Sequence, residues 1–351
     1  MTHQKRRRFS LSLRTIFICV TLLSGGLAWF AYRRNEIQEV ERLAGVVRAV
    51  GGHADCLQVL FGRGSVDYGH LPLYTPFVRP KLYGVFLRSD RPEILDHEFF
   101  EAARTAQDLR LNGDAWNDES FAECLSENTR GLSMSCPRVT RHGLAALERC
   151  SKLSSLNIRP DDQLAPLFEL LPKLPGLRRL GFSSSLKELA VLPRTDAIIE
   201  FESVTLFLDA DTSPDEDEAP AFAWLGMFSR ARKFHVHGKG SIDDRLIRSI
   251  AEHCQELESL NISDGNLTCE GLQSLAKLPR LTKLHLDRCV LSPGSVIALA
   301  DFQKLEYASL CEIDDADENP LRNLLAPPNL RAVSYTTPTL GFQTVKFHEE
   351  E

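Results

Sequence analysis

The chain has 351 residues, 43% hydrophobic and 25% charged, a balance that excludes global disorder, and it is longer than a typical single compact core. Its net charge of -7 is unevenly placed: residues 1 to 34 hold seven Lys/Arg and no acid, which leaves 34 bases against 48 acids, a net of -14, for the rest. An acidic body of this kind excludes nucleic acid as the natural partner.

Residues 1–14 form a basic tail with Lys5, Arg6, Arg7, Arg8 and Arg14. An uncharged stretch, 15–32, follows and closes at Arg33 and Arg34. At 1.5 Å per residue it reaches about 27 Å, close to the hydrocarbon thickness of a bilayer, with Trp29 and Tyr32 placed as interfacial anchors. The expectation is a single transmembrane helix with the N-terminus cytoplasmic and the rest of the chain on the external or periplasmic side. Ser24-Gly25-Gly26-Leu27-Ala28 leaves open a signal-peptidase site, and Arg6-Arg7-Arg8-Phe9 a twin-arginine export signal. Residues 33–52 predict a linker helix, with Ile37, Val40, Leu43, Val47 and Val50 at helical spacing and Gly51-Gly52 as its stop. Residues 53–81, with several Gly and Pro, are expected to form an N-terminal cap.

From Leu82 onward an apolar triplet at positions 1, 4 and 6 of a short segment recurs to the C-terminus. Representative triplets are Leu153/Leu156/Ile158, Leu257/Leu260/Ile262 and Leu281/Leu284/Leu286, with a degenerate one at Ser203/Leu206/Leu208. The eleven triplets start 24, 23, 24, 24, 26, 28, 26, 24, 24 and 25 residues apart. Such a period predicts an α/β solenoid over 82–351, in which each unit contributes one parallel strand and a helical or irregular return. Helical returns are expected at 139–152, 242–254 and 267–278, with Thr268, Asp243 and Ser292 as caps and Pro293 at a first helical position. Strands stack at about half the spacing of helices, so the sheet should line the concave side of an arc. An acidic insertion, 209–220, interrupts the array after the sixth strand, and a C-terminal cap follows Thr336. The insertion lacks the glycine and the twelfth-position Glu of a calcium-binding loop.

Leu281-Thr-Lys-Leu-His-Leu-Asp-Arg-Cys289, together with Gly-Leu-x-x-Leu at Gly143 and at Gly271, resembles the cysteine-containing and ribonuclease-inhibitor-like leucine-rich repeats. The basic prefix Arg6-Arg-Arg-Phe-Ser-Leu-Ser-Leu-Arg-Thr15, the apolar span and the helix ending in Gly-Gly are similar to the anchor of bacterial membrane-tethered leucine-rich repeat proteins of unassigned function. The resemblance implies placement in a bacterial cytoplasmic membrane and a protein-binding role. The ninth position, usually Asn or Cys in the family, is here variously Asp, Pro, Ser, Lys, Gly, Cys or Ile, so no continuous asparagine ladder forms. Cys150, Cys254 and Cys289 fall at interior repeat sites and are expected to be free, buried thiols, with a pair among Cys124, Cys136 and Cys150 open in an oxidising compartment.

On each strand, residues at positions 3, 5 and 7 face away from the returns. The candidate ligand-binding residues on that face are Arg159, Arg179, Phe207, His235, His237, Lys283 and His285. Phe207 is expected in the central row beside His235. Basic groups with an aromatic anchor on an acidic body suit a protein partner, with a glycan as the other ligand class. His235 and His237 with Asp209 beside them could form a metal corner, which keeps a metal-dependent enzyme among the readings. No catalytic, metal or cofactor signature occurs otherwise: there is no G-x-S-x-G, H-E-x-x-H, P-loop or dinucleotide glycine motif. The reading is a non-catalytic, membrane-tethered binding protein that uses its concave face; a self-associating structural component of the envelope is the alternative.

Overall fold

The computed structural model describes residues 13–60, 65–67, 78–88, 95–159, 164–190, 192, 198–209, 222–292, 294–311, 314–315, 327–337 and 341–346. The basic tail, apart from residues 13 and 14, and the acidic insertion, apart from Asp209, lie outside them.

A 37-residue helix, α1 (Leu13–Ala49), opens the chain and runs without a break through the expected span and linker. Its last turns bury Leu43, Ala44 and Val47, and Arg42 bridges to Glu101 at 3.0 Å. Gly51, at φ 78°, ends the helix as expected from the Gly-Gly pair. Gly52 must be glycine for a second reason, because a Cβ there would stand 2.7 Å from the Phe86 carbonyl. Farther up the helix Leu22, Leu23, Leu27 and Phe30 point outward and are exposed. Among the described residues no helix is long and apolar enough to cross a membrane. The side chains of residues 15–19, the start of the expected span, lie outside the described set.

The remaining chain builds one sheet. An antiparallel start is made by β1 (His53–Leu60), β2 (Ser65–Asp67) and β3 (Val78–Arg88). Parallel strands then follow in chain order: β4 (Asp108–Asn112), β5 (Gly131–Ser135), β6 (Ser155–Ile158), β7 (Arg179–Ser184), β8 (Ser203–Leu208), β9 (Lys233–Ile242), β10 (Ser259–Leu267) and β11 (Lys283–Asp287). A short β12 (Val290–Leu291) pairs off the main path, where it joins the end of β10 to β14 (Asp314–Asp315). The main sheet continues through β13 (Tyr307–Cys311) and β15 (Ala332–Thr337), and β16 (Gly341–Lys346) closes it antiparallel. Parallel strands in sequence order need a crossover in every unit, and the returns supply it. They include α2 (His97–Thr105), α3 (Asp118–Cys124), α4 (Arg141–Ala145), α5 (Leu164–Leu170), α6 (Leu186–Ala190), α7 (Asp244–His253) and α8 (Cys269–Ala276), with 3₁₀ turns at Ala223–Phe228 and Ser295–Asp301.

The positions 4 and 6 form the core. Leu109/Leu111, Leu156/Ile158, Leu180/Phe182, Phe234/Val236, Leu260/Ile262 and Leu284/Leu286 are all buried against the returns. Each such side chain contributes about 1.5–3 kcal/mol. Cys124, Cys136, Cys150, Cys254 and Cys289 join that core as free thiols.

Two expectations need correction. The sixth unit does not begin at Ser203. Val204 and Leu206 pair with Leu180 and Phe182 on one side and with Phe234 and Val236 on the other. The unit therefore starts at the buried Phe201, and the two flanking intervals become 24 and 30 residues. Val204, Leu206 and Leu208 alternate with polar or outward residues, and a period of two gives no signal against a slip of two. Ser292 is likewise no cap: the following 3₁₀ turn starts after Gly294 at φ 77°, without a side-chain cap. Thr268 and Asp243 do cap their helices, accepting from Glu270 N–H and from the N–H groups of Arg245 and Leu246.

Candidate binding face of the sheet

The strand register fixes which side chains are neighbours on the open face. The central row runs Phe86, Arg110, Ser133, Asn157, Gly181, Thr205, His235, Asn261, His285, Ser309 and Ser334. Phe207 is not in that row, since the corrected register gives its place to Thr205 and moves Phe207 to position 7, opposite His237. There its ring stacks on the His237 imidazole at 5.0 Å and 15°. Asp209 lies beyond Leu208, which pairs with Gly238, so it does not flank His237 in the ladder. Among the described residues no three His, Cys, Asp or Glu side chains gather as a metal ion requires.

The candidate ligand-binding residues divide between two halves of the face. In the half over β8–β13, His235 and His285 flank Asn261, whose Oδ1 is buried and accepts no hydrogen bond among the described residues. Burial holds His235 below the usual histidine range, and His237, His285 and Lys233 reinforce the shift. Burial also lowers His237, with Asp264 opposing, and lowers His285, helped by Lys283. These imidazoles are therefore neutral near pH 7 and present ring nitrogens able to donate or accept. Lys283 lies 5.9 Å from the Tyr307 ring, and Lys233 pairs with Glu202 at 3.6 Å.

Arg159 and Arg179 sit in the other half, over β3–β7. Two adjoining depressions, of about 680 and 710 Å³, lie along the position-7 and position-3 edges of these strands and share Ser133 and Asn157. Their floor is low because the sheet carries small residues there: Gly131, Ser133, Ser135 and Ser155. The Asp108 carboxylate occupies the space over Gly131, where any Cβ would collide with it. Around the floor stand Arg88, Arg110, Arg130, Arg159 and Arg179. Arg110 lies over the Phe86 ring at 4.1 Å. A third depression, of about 580 Å³ along the strand starts, is different in kind: Arg178, Arg230 and Arg232 there face Glu200, Glu202 and Glu256, and Arg230 pairs with Glu200 at 2.8 Å. Its charges neutralise one another.

Arg130 and the serine and glycine floor escaped the sequence reading. Arg130 precedes position 3, outside the pattern applied, and small side chains carry no periodic signal. Gly131, Ser133 and Ser135 at positions 3, 5 and 7 of a single unit were the cue available.

No family model and no curated protein matches the chain. Solved structures give distant likenesses. A protein from Bacteroides fragilis is 17% identical, with TM-score 0.36 over 62% of this chain and 68% of its own. Rad7, solved with Elc1 from yeast, is 17% identical, with TM-score 0.35 over 68% of this chain and 71% of that one. An internalin of Listeria monocytogenes is 16% identical, with TM-score 0.33 over 71% and 84%. Likenesses of this size assign no ligand and no activity. By its own repeat period, strand register and buried 4 and 6 positions, the chain folds as an α/β solenoid of strand-and-return units, the architecture that the leucine-rich repeat resemblance implies.

Proposed function

We propose that this chain is a non-catalytic binding protein that holds a protein partner on the open, concave face of its sheet. The observation that carries the reading is the charge on that face: Arg88, Arg110, Arg130, Arg159 and Arg179 stand without carboxylate partners among the described residues, on a body that is otherwise acidic. Complementary potential of this kind steers and orients a partner. Charge reversal at Arg179 and Lys283, each to Glu, should abolish capture of the partner while the circular dichroism spectrum stays unchanged. Retained capture would remove this face from consideration. Site-specific photo-crosslinking with the probe at Arg110 or at His285, and at Gln273 on α8 as control, reports the partner directly; self-adducts would favour the self-associating envelope component.

The same proposal places the chain in a bacterial cytoplasmic membrane through residues 15–32, with the N-terminus inside and the repeats on the external or periplasmic side. Exposed Leu22, Leu23, Leu27 and Phe30 along α1 support it, because soluble surfaces rarely leave such a run open to water. Alkaline extraction of membranes tests the anchor. Release of the chain into the supernatant would reject it.

A further inference from the structure

Several exposed bases of the repeats meet an acid from a neighbouring unit. Arg104 pairs with Glu123, Lys173 with Glu148, Arg230 with Glu200, Arg280 with Glu256 and Arg288 with Asp264. The five arginines around the twin depression form no ion pair among the described residues. Set against Asp108 and Asp114, which also line it, five positive charges less two leave a net of +3.

Geometry limits what could satisfy them. Arg88 on β3 and Arg159 just after β6 are three strands apart, as are Arg110 on β4 and Arg179 on β7, so each pair is separated by about 14 Å at the usual strand spacing. No single phosphate or sulfate spans that distance. An extended polypeptide does, since residues i and i+4 lie on one face about 13–14 Å apart. The guanidinium forks match carboxylates in bidentate fashion. Between them Ser133, Ser135, Ser155 and Asn157 offer neutral hydroxyl and carboxamide groups suited to peptide N–H and C=O. A long polyanion would also extend beyond the trough over a body of net charge -14 and be repelled along that length, whereas a short acidic segment can stay within the trough.

We infer that, within the open-face binding proposed above and resting on it, the trough over β3–β7 recognises an extended acidic segment of a partner protein carrying carboxylates four residues apart. The test uses the full chain in non-ionic detergent and a fluorescein-labelled peptide, Ser-Glu-Ser-Ser-Ser-Glu-Ser, with its Gln-for-Glu counterpart, read by fluorescence anisotropy. The Glu peptide should bind and the Gln peptide should be about tenfold weaker or more. Arg110→Gln with Arg159→Gln should weaken the Glu peptide by about tenfold, while Arg178→Gln, outside the trough, should stay within about twofold. Equal binding of the two peptides, or indifference to the trough substitutions, overturns the inference. So does tighter, trough-dependent binding of a heparin hexasaccharide or an oligodeoxythymidine, which would replace the acidic peptide by a polyanion. Crosslinking separates the two levels: partner adducts from His285 that survive the trough substitutions overturn the trough alone, whereas no partner adduct from either Arg110 or His285 overturns the open-face reading itself.

Discussion

Replacing Gly271 with alanine would put a methyl group where the Asp244 carboxylate now sits. The new Cβ would stand 2.1 Å from Oδ1 and 2.8 Å from Cγ, distances that force the carboxylate to rotate away. That carboxylate is committed: it accepts from the Thr268 backbone N–H at 2.9 Å and from the Thr268 hydroxyl. Thr268 in turn caps α8 by accepting from the Glu270 N–H at 3.1 Å. Losing hydrogen bonds to a charged acceptor costs about 1.5–3 kcal/mol, and alanine in place of helical glycine returns about 1 kcal/mol. The net expectation is destabilisation by about 0.5–2 kcal/mol, read as a lower urea midpoint. In an Asp244→Ala background the collision is gone, so the same substitution should stabilise by about 1 kcal/mol and raise the midpoint. That reversal of sign is the decisive feature. If Gly271→Ala is stabilising in both backgrounds, the carboxylate contact does not constrain the helix and the reasoning fails. Gly143 repeats the arrangement one hundred and more residues earlier, with Asp118 Oδ1 at 2.5 Å from an added Cβ and Asp118 accepting from both Thr140 donors at 2.6 Å. There Val139 Cγ1 also lies 2.8 Å away, so removal of Asp118 should rescue only in part.

Three further outcomes follow from the core and the face. Phe228, fully buried among Phe168, Phe182, Phe201, Trp224 and Phe234 at ring separations of 5.4 to 6.2 Å, should lose about 3–5 kcal/mol on Phe228→Ala, and a loss near zero in urea titration would show that the aromatic cluster does not hold the sixth unit. Burial pushes the Cys254 and Cys289 thiols up to about 12 and about 11, so iodoacetamide at pH 8 should spare both in the native chain and label them after denaturation; mass spectrometry showing equal native labelling would contradict their burial. His235 should titrate below its ordinary 6.5 by NMR and move upward in Lys233→Gln, since one of the charges that depresses it is gone. A lowered histidine pKa means the unfolded chain binds the proton more readily, so its contribution to stability is complete above about 6.5 and is lost as pH falls through the folded value; a urea midpoint that rises on acidification through this window would contradict the sign.

Period and burial were legible because each is written in large apolar side chains. Leu156 and Ile158, Leu260 and Ile262, and Leu284 and Leu286 all occupy the inner face expected from positions 4 and 6. The caps at Asp243 and Thr268 were legible for a similar reason, a local side chain meeting a local orphan N–H. Phe207 shows the limit. Its strand alternates through Leu208, so pattern alone could not choose between two registers, and the choice was made by Phe201 packing in the interior and by neighbours 24 and 30 residues away. The Gly-Leu-x-x-Leu segments were visible as a family likeness, but the need for glycine came from the Asp118 and Asp244 carboxylates of the preceding units. The trough was the least legible feature, because its shape comes from side chains that are missing.

A solenoid gives every surface charge two lateral neighbours, one per adjacent strand, and those neighbours decide whether the charge is spent inside the fold or left for a ligand. Arg288 finds Asp264 one unit back and forms a bidentate pair at 2.8 and 2.9 Å. Arg179 finds only Ser155 and Ser203, and Arg110 finds Phe86 and Ser133. The two corners of each arginine pair, about 14 Å apart, exceed the screening length of about 8 Å at physiological ionic strength. They therefore act on a ligand as separate points of contact, not as one diffuse field. A peptide with a single carboxylate can engage one corner at a time and gains little over a solvated ion pair. A peptide with carboxylates at i and i+4 converts the second contact into an intramolecular event, so its affinity should exceed that of either half by more than their charges alone would give. Spacing, more than net charge, is the property by which this face would select its partner.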